Sequence, residues 1–279
     1  MGKRVKILRE TMKAAEDGCY FVEEKEVKLP VSFEQIKEVK LYTPEQVVQL
    51  SEQDMPGNEP IRITLRNQDT LEAAFELNQR RKETEKPVLI LNFANPHRPG
   101  GGIRSRPGTQ EEHLCVKTTV LCSLETEEAW PFYQTNQDCG TQAQTDTILF
   151  SPNTMVIRNP DLSLREDPFP VAVMTVSAPI ASRMEESELP NLENILKGRI
   201  YGMLCAAAAD GYTRLVLGAW GCGNFGNDPE LVARLFRDNL TGNFEEVTMA
   251  VFDNSEDQYR YSCFAKYFES MDAIADNNS

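Results

Sequence analysis

The sequence predicts an α/β protein in which a β-sheet lies between two layers of helices. Apolar runs of strand length, such as Val88–Phe93 and Val171–Ser177, alternate along the chain with longer segments of helical character, such as the alanine-rich stretch Leu192–Ala209. Short apolar runs of this kind are typical of strands that are buried on both faces. Strands that alternate with helices place the helices on both faces of one sheet.

The first 58 residues are expected to form an N-terminal accessory extension that is largely helical. Apolar residues recur at helical spacing up to about residue 17, and a strand is expected from Tyr20 to Leu29. Thr43 and Pro44 have the residue types of an N-cap and a first helical position. Residues 51–60 are polar and contain two prolines and a glycine, which indicates a linker. We therefore predict an extension at 1–58 and a core at 59–279.

The core is expected to contain six strands and five helices. The expected strands are Ile61–Leu65, Val88–Phe93, Thr154–Ile157, Val171–Ser177, Arg214–Gly218 and Val247–Phe252. The first expected helix starts at Thr70, the second runs from Thr109 to Leu124 and the third from Leu192 to Ala209. The fourth starts at Pro229 after the cap residue Asp228, and the fifth ends at about Ala275. Residues 125–147 are expected to be a polar insertion, and the sequence indicates no role for it.

The composition limits the classes of partner. The net charge is −14, whereas long-range attraction to nucleic acids or anionic membranes requires positive charge, so neither general nucleic-acid binding nor membrane binding is expected. The seven cysteines are scattered without a CxxC pair, which is typical of free thiols in a reducing compartment. No apolar segment has the pattern of a signal peptide or a membrane span. We expect a cytoplasmic protein.

The strongest indication of a site follows the strand Val88–Phe93. The chain passes through Asn95, Gly100, Gly101 and Gly102 before a helix that begins with Gln110, Glu111 and Glu112 behind the expected cap residue Thr109. A glycine-rich loop between a strand and a helix N-terminus can hold a phosphate with its backbone N–H groups. Three arginines, Arg98, Arg104 and Arg106, add positive charge near this loop, although each one alone is as well explained by exposure to solvent.

A second glycine-rich loop follows the strand Arg214–Gly218. It contains Gly221, Cys222, Gly223, Asn224 and Phe225, and with Gly226 it matches the GxGxxG pattern of dinucleotide-binding folds. The loop lies near the end of the chain, whereas a dinucleotide-binding fold needs most of its strands after the motif, which disfavours a nicotinamide cofactor. Both loops follow strands, so they can meet at one sheet edge and bind a diphosphate from two sides. Phe225 could then stack on a sugar or a base.

The adjacent acids Glu111 and Glu112 are candidates for acid–base chemistry. Consecutive helical residues point about 100° apart, so the two cannot face each other across a glycosidic bond, and their roles must differ. A general acid needs a raised pKa, which burial provides and a helix N-terminus opposes. The alternative is that both acids only stabilise the helix N-terminus. His97, His113 and Cys115 lie nearby, but their spacing matches no zinc site, so no metal is expected.

These motifs resemble those of poly(ADP-ribose) glycohydrolases of the microbial type. The resemblance rests on three glycines followed after seven residues by Gln110-Glu111-Glu112, on the preceding Asn92-Phe93-Ala94-Asn95, and on the segment from Gly218 to Pro229. It implies a macrodomain-like mixed sheet between helices and the release of ADP-ribose from poly(ADP-ribose), without a metal or another cofactor. The expected partners are poly(ADP-ribose) or ADP-ribosylated protein as substrate and ADP-ribose as product.

The resemblance also assigns roles to residues. It makes Glu112 the acid that protonates the leaving ribose oxygen and then activates water. Glu111 and Asn95 would bind ribose hydroxyls, and Gln110 would also contact the substrate. The diphosphate would be surrounded by two groups of loop residues, which are Gly100, Gly101 and Gly102 in the first loop and Gly221, Cys222, Gly223, Asn224 and Phe225 in the second. For the adenine, only Asp69 and residues 151–153 are candidates.

Alternatives to an exo-acting poly(ADP-ribose) glycohydrolase remain at this point. The same site could remove single ADP-ribosyl groups from protein or nucleic acid. A module that binds ADP-ribose without cleaving it is a further alternative, although the intact Glu111–Glu112 pair disfavours it. The nicotinamide-dependent dehydrogenase is the weakest alternative.

Overall fold

The computed structural model describes residues 3–53, 60–105, 108–240 and 244–275. The strands of this part of the chain are β1 (Cys19–Val22), β2 (Lys25–Lys28), β3 (Lys40–Tyr42), β4 (Arg62–Arg66), β5 (Val88–Phe93), β6 (Ile148–Arg158), β7 (Leu164–Val176), β8 (Arg214–Leu217) and β9 (Glu246–Ala250). Its α-helices are α1 (Lys3–Asp17), α2 (Phe33–Lys37), α3 (Pro44–Ser51), α4 (Thr70–Arg80), α5 (Gln110–Lys117), α6 (Val120–Leu124), α7 (Trp130–Asp138), α8 (Leu192–Ala209), α9 (Pro229–Asn239) and α10 (Tyr259–Ala275). None of these helices is long and apolar enough to cross a membrane.

A mixed sheet of seven strands forms the centre of the fold. Its strand order is β3-β6-β7-β5-β8-β9-β4. The five strands from β7 to β4 are parallel to their neighbours, whereas β6 pairs antiparallel with both β7 and β3. The carboxyl ends of five adjacent parallel strands therefore meet at one edge of the sheet. In open α/β sheets this edge is where ligands bind.

Helices cover both faces of the sheet, as the sequence predicts. One face packs against α3, α8, α9 and α10, and its core includes the fully buried Trp220, Phe236 and Phe264. The other face packs against α1, α4, α5, α6 and α7, and its core includes Leu77 and Phe132. Removal of these apolar side chains from water is the main stabilising contribution to such a fold. The predicted mixed sheet between helices is confirmed.

The N-terminal segment packs closely against the core. The short strand β3 forms one edge of the central sheet, where Leu41 pairs with Leu149. Helix α1 lies against α5, and the Thr11 hydroxyl donates to the Val116 carbonyl at 2.8 Å. Sequence analysis missed β3 because a three-residue strand is too short to show a period. The linker that we predicted at residues 51–60 lies mostly at 54–59, outside the described residues.

The helix that we predicted from Thr109 to Leu124 is in fact two helices. Thr118 ends α5 with an extended backbone, and Thr119 both donates its N–H to the Met155 carbonyl and accepts from the Met155 N–H through its hydroxyl. These contacts with β6 replace the helical hydrogen bonds at the junction. The predicted polar insertion at 125–147 contains α7, whose residues Phe132 and Tyr133 are fully buried.

Candidate active site

A cavity of about 570 Å³ lies at the carboxyl edge of the parallel strands. It is lined by the N-terminus of α5 and by residues that follow β4, β5, β7, β8 and β9. Its volume lies within the usual range for pockets that bind small organic ligands. Both predicted glycine-rich loops border this cavity, through Gly101 in the first and through Gly221, Gly223, Asn224 and Phe225 in the second. The sequence therefore predicts its location correctly.

Helix α5 brings the two glutamates to the cavity, and Gln110 fixes where that helix starts. The Gln110 side-chain nitrogen donates to the Leu91 carbonyl at 2.7 Å, and its oxygen accepts the Phe93 N–H at 3.0 Å. The Gln110 side-chain amide thus pairs with backbone groups at the end of β5, as the backbone of a neighbouring strand would. Gln110 also lines the cavity, but its contacts make it a link between strand and helix.

Glu111 is buried at the inner end of the cavity, with 1% of its surface exposed. One carboxylate oxygen accepts the Asn95 N–H at 2.8 Å, and the other lies 3.3 Å from the Asn92 amide nitrogen. Burial raises the pKa of Glu111 to about 8, against the opposing effect of the hydrogen bonds from Asn95 and Asn92. Glu111 therefore holds a proton at neutral pH.

Glu112 has different surroundings and the opposite protonation state. Its carboxylate accepts three backbone N–H groups, from Gly102 at 2.8 Å and from Gly108 and Thr109 at 2.6 Å each. Burial acts to raise the pKa of Glu112, but the hydrogen bonds from Gly108, Thr109 and Gly102 outweigh it and lower the pKa below its ordinary value. The prediction that the two acids differ in role agrees with this contrast.

The first glycine loop is folded around the glutamates. Gly101 has a φ of 55°, and a Cβ atom there would lie 3.0 Å from a Glu111 oxygen and 3.1 Å from a Glu112 oxygen. Gly100 packs inward, where a Cβ atom would lie 3.0 Å from Leu121. Gly102 uses its N–H to bind Glu112. Neither Gly100 nor Gly102 lines the cavity. The expectation that all three glycines surround a diphosphate stays a prediction.

The second glycine loop borders the middle of the cavity. Gly221 has a φ of 74°, and its carbonyl accepts the Asn227 N–H at 3.1 Å. The carbonyl of Phe225 accepts the Ser182 N–H at 3.0 Å, which fixes the outer part of the loop. The aromatic ring of Phe225 is half-buried, beside Gly223 and Asn224 in the cavity wall.

Two side chains of this segment, Trp220 and Cys222, pack against the hydrophobic core, and Trp220 also lines the cavity. Trp220 is fully buried and donates from its indole nitrogen to the Val176 carbonyl at 3.0 Å. Cys222 packs against the hydrophobic core, and burial raises the pKa of its thiol. Cys222 is not part of the cavity lining, because its side chain after the turn at Gly221 packs against the core. Its predicted contact with substrate stays a prediction.

The far end of the cavity follows β4 and β9, and the residues after β9 were not predicted. Phe252, Asn254 and Arg260 line it, and Phe252 exposes 60% of its surface. Asn67 fixes the backbone beside Phe252, because its side chain accepts the Asp253 N–H at 2.9 Å and donates to the Asp253 carbonyl at 3.0 Å. The rule that ligands bind at the carboxyl ends of parallel strands could have identified Phe252, which is the final residue of the last predicted strand.

The arginines near the first glycine loop and the adenine candidates differ in where they lie. Arg104 pairs with Glu125, Arg98 is exposed and lies outside the cavity lining, and Arg106 lies outside the described residues. Asp69 lines the cavity, but it caps α4 and pairs with Lys117 at 3.1 Å. Residues 151–153 lie within β6, away from the cavity.

No group of three or more potential metal ligands occurs among the residues that the structure describes. His113 lines the cavity, but burial together with the charges of Lys117 and Arg4 lowers its pKa and favours the neutral ring. The polar groups at the inner end of the cavity are the carboxyl groups of Glu111 and Glu112 and the backbone N–H groups that donate to them.

Comparison with known proteins identifies the family. The model of the catalytic domain of microbial-type poly(ADP-ribose) glycohydrolases matches residues 8–159. The chain belongs to this family. The predicted glycosidase that acts on poly(ADP-ribose) is thereby confirmed. The match begins within α1, so the family's catalytic domain includes most of the segment that we predicted to be an extension. A comparison with curated proteins finds no match.

Solved structures agree with this membership over most of the chain. Poly(ADP-ribose) glycohydrolase from Thermomonospora curvata is 33% identical, with a TM-score of 0.86, over 95% of this chain and 99% of that one. The same enzyme has been solved with the inhibitor ADP-HPD, at 32% identity and a TM-score of 0.84 over the same shares of both chains. The enzyme from Deinococcus radiodurans in complex with ADP-ribose is 34% identical, with a TM-score of 0.81, over 88% of this chain and 99% of that one.

Proposed function

We propose that Glu112 transfers the protons when this glycohydrolase cleaves the ribose–ribose bond. The observation that carries the proposal is the placement of two buried carboxylates at the inner end of a ligand-sized cavity, each in its own hydrogen-bonding environment. Glu112 first donates a proton to the leaving 2′ oxygen of the next unit. It then accepts a proton from the water that attacks C1 of the bound ribose.

The protonation state of Glu112 in the free enzyme differs from the state that the first step requires. Glu112 is ionised in the free enzyme, since three N–H groups lower its pKa. This state suits the second step, in which the carboxylate acts as a base. For the first step the bound substrate must raise the pKa of Glu112. Two phosphate charges nearby and the loss of water from the cavity both act in that direction.

We assign the rest of the cavity to parts of ADP-ribose by their chemistry. The distal ribose lies against Glu111 and Asn95. The protonated Glu111 carboxyl can donate to a ribose hydroxyl, and so can the Asn95 side-chain nitrogen, because the Asn95 oxygen is occupied by the N–H groups of His97 and Arg98. The diphosphate lies along Gly221, Gly223 and Asn224, with Phe225 against the sugar.

The adenine is assigned to the far end of the cavity. Phe252 is the large aromatic side chain that is exposed within the cavity lining of the described residues, and its face is available for stacking on a purine. Arg260 and Asn254 lie beside it and can donate hydrogen bonds to the base or to the neighbouring ribose. This placement puts the full length of ADP-ribose between Phe252 and Glu112.

Exo action is the mode that we propose, in which single ADP-ribose units leave from the chain end. Helix α1 packs along α5, and Arg4 on α1 is close enough to lower the pKa of His113 in the cavity wall. The N-terminal segment thus flanks the cavity, which supports a role in closing the path that an internal polymer segment would need.

Digestion of poly(ADP-ribose) of defined length tests substrate and mode together. We expect free ADP-ribose as the early product, with polymers that shorten from one end. Early oligomers would show endo cleavage and contradict the proposed mode. A protein that carries single ADP-ribosyl groups serves as the parallel substrate. If that protein were cleaved faster than the polymer, the assigned substrate would be wrong.

A cytoplasmic location and the absence of general nucleic-acid binding are also proposed. All seven cysteines are free, which is typical of proteins in a reducing compartment. The net charge of −14 opposes attraction to polyanions, so affinity should rest on the terminal ADP-ribose unit. An affinity for poly(ADP-ribose) that increased strongly with polymer length, at a constant concentration of chain ends, would contradict this.

A further inference from the structure

The segment at 125–147, for which the sequence indicates no role, contacts the first glycine loop on the side that follows the glycines. The guanidinium of Arg104 donates to both carboxylate oxygens of Glu125, from Nη1 at 2.5 Å and from Nη2 at 3.0 Å. A bidentate pair of this kind fixes direction as well as distance. Arg104 lies in the turn that runs from Gly102 to Ser105, where the Ser105 N–H donates to the Gly102 carbonyl at 2.8 Å.

The same segment also holds the loop on the side that precedes the glycines. The side-chain nitrogen of Gln137, on α7, donates to the backbone carbonyl of His97 at 2.9 Å. A hydrogen bond to a main-chain carbonyl holds the backbone itself, whichever side chain occupies position 97. The three glycines at 100–102 are thus bracketed by a contact three residues before them and a contact two residues after them.

Below the loop, the segment contributes part of the hydrophobic floor. Tyr133 of α7 is fully buried in the cluster that contains Ile103, Cys115 and Leu121. Gly100 lies directly on this cluster, since a Cβ atom there would be 3.1 Å from the Cys115 sulfur. Contacts from below and from both ends therefore determine where the loop backbone lies.

The position of this loop determines the orientation of Glu112. The Gly102 N–H donates to one Glu112 oxygen, and Gly101 packs against the same oxygen. We propose that Glu125 and Gln137 are positioning residues, which hold the first glycine loop so that Gly102 keeps the Glu112 carboxylate in its reactive orientation. This inference rests on the proposed role of Glu112, and it gives the 125–147 segment a function in the reaction.

The size of the effect follows from the exposure of the pair. The side chains of Arg104 and Glu125 are 54% and 30% exposed, so solvent weakens their attraction. Pairs at such positions typically change an equilibrium by about twofold to fivefold. Since the first glycine loop donates to Glu112, and Gly100 and Gly102 lie outside the cavity lining, the change should appear in kcat. The Kd for ADP-ribose should stay within about twofold of wild type.

The test compares Glu125→Gln, Gln137→Leu and the charge swap Arg104→Glu with Glu125→Arg. Exposed Glu128 lies in the same segment, and Glu128→Gln is the matched control. For Glu125→Gln we expect kcat to fall about fivefold at an unchanged Kd for ADP-ribose, with partial recovery in the swap. If Glu125→Gln were poorly folded, Arg104→Gln removes the same pair from the loop side. Unchanged kcat in the folded variants, or equal loss in Glu128→Gln, would overturn the proposal.

A second comparison separates this proposal from that of Glu112 itself. Glu125→Gln is combined with Glu112→Gln, and the residual rates are measured. If Glu125 acts through Glu112, it has no further effect in that background. A further fivefold loss there would show that Glu125 acts by another route. Wild-type turnover in Glu112→Gln alone would instead refute the role of Glu112, whatever the result for Glu125.

Discussion

Glu111→Gln should make the protein more stable at neutral pH, and the gain should increase with pH. Glu111 is buried, and its pKa is raised to about 8 from an ordinary value of 4.5. A carboxyl whose pKa is higher in the folded state contributes its full stability below pH 4.5. That contribution is lost as the pH rises toward 8, because the unfolded chain can ionise and the folded chain cannot. Glutamine has no such penalty.

The magnitude follows from the two pKa values. At 1.36 kcal/mol for each unit, linkage between an unfolded pKa of 4.5 and a folded pKa of about 8 costs the wild-type protein roughly 2 to 3 kcal/mol between pH 5 and pH 7. The glutamine oxygen can still accept the Asn95 N–H. Its NH2 group can donate to the Asn92 side-chain oxygen, which has no partner in the structure, once that amide is turned. The substitution therefore keeps the shape of the site.

The assay is denaturant unfolding of wild type and Glu111→Gln at pH 5 and pH 7. The difference between the two proteins in unfolding free energy should grow by roughly 2 to 3 kcal/mol over this interval. Groups that both proteins share cancel in this comparison. Glu128→Gln, at an exposed position, should give curves parallel to wild type. Parallel curves for Glu111→Gln as well would refute the assignment of a proton to Glu111 at neutral pH.

Three further predictions concern the reaction and the ligand. Glu112 is ionised in the free enzyme and must gain a proton when substrate binds. We therefore expect kcat/KM to fall about tenfold for each unit of pH between 6 and 8, and kcat to fall less. A kcat/KM that did not change with pH would contradict this. Gly101→Ala places a Cβ about 3 Å from both carboxyl groups at a φ of 55° and should lower kcat at least about tenfold. Gly211→Ala, at a φ of 70° with nothing within 4 Å and outside the cavity lining, should leave kcat nearly unchanged, so equal rates in the two variants would be incompatible with the loop's role. Phe252→Ala should weaken ADP-ribose binding about tenfold or more, as measured by calorimetry. Phe21 is equally exposed, at 60%, and Phe21→Ala should leave the affinity unchanged. Unchanged affinity in Phe252→Ala would show that Phe252 is not part of the adenine site.

The sequence predicts the location of the site because its main markers are local. A glycine-rich loop between a strand and a helix has few possible conformations, and the strand Val88–Phe93 is correct to the residue. The angle of about 100° between Glu111 and Glu112 follows from helical geometry alone. The expectation that these acids have separate roles therefore needed no tertiary structure.

The direction of the loop N–H groups could not be predicted from the sequence. A glycine loop can direct its donors toward a ligand or toward a neighbouring side chain, and tertiary packing decides between the two. Here Gly102 donates to Glu112. The alternative that Glu112 only stabilises its helix is partly correct, since Glu112 also accepts the Thr109 N–H as a capping residue does.

The remaining differences have the same origin in long-range contacts. Trp220 and Cys222 lie in a glycine-rich motif, but both side chains pack against the hydrophobic core. Phe252 follows an ordinary apolar strand, and only the sheet order places it opposite Glu112. The 125–147 segment is rich in polar residues because its outer surface is exposed, which concealed the buried side of α7.

The central claim is that Glu112 transfers the proton at the ribose–ribose bond. The most direct test measures two properties of purified Glu112→Gln, which are its rate of ADP-ribose release from poly(ADP-ribose) and its affinity for free ADP-ribose. Glutamine keeps the volume of the side chain and one acceptor oxygen, so binding should persist. Loss of a general acid typically lowers the rate by about 10²–10⁴-fold. We expect such a loss at a nearly unchanged Kd, and turnover close to wild type would contradict the account.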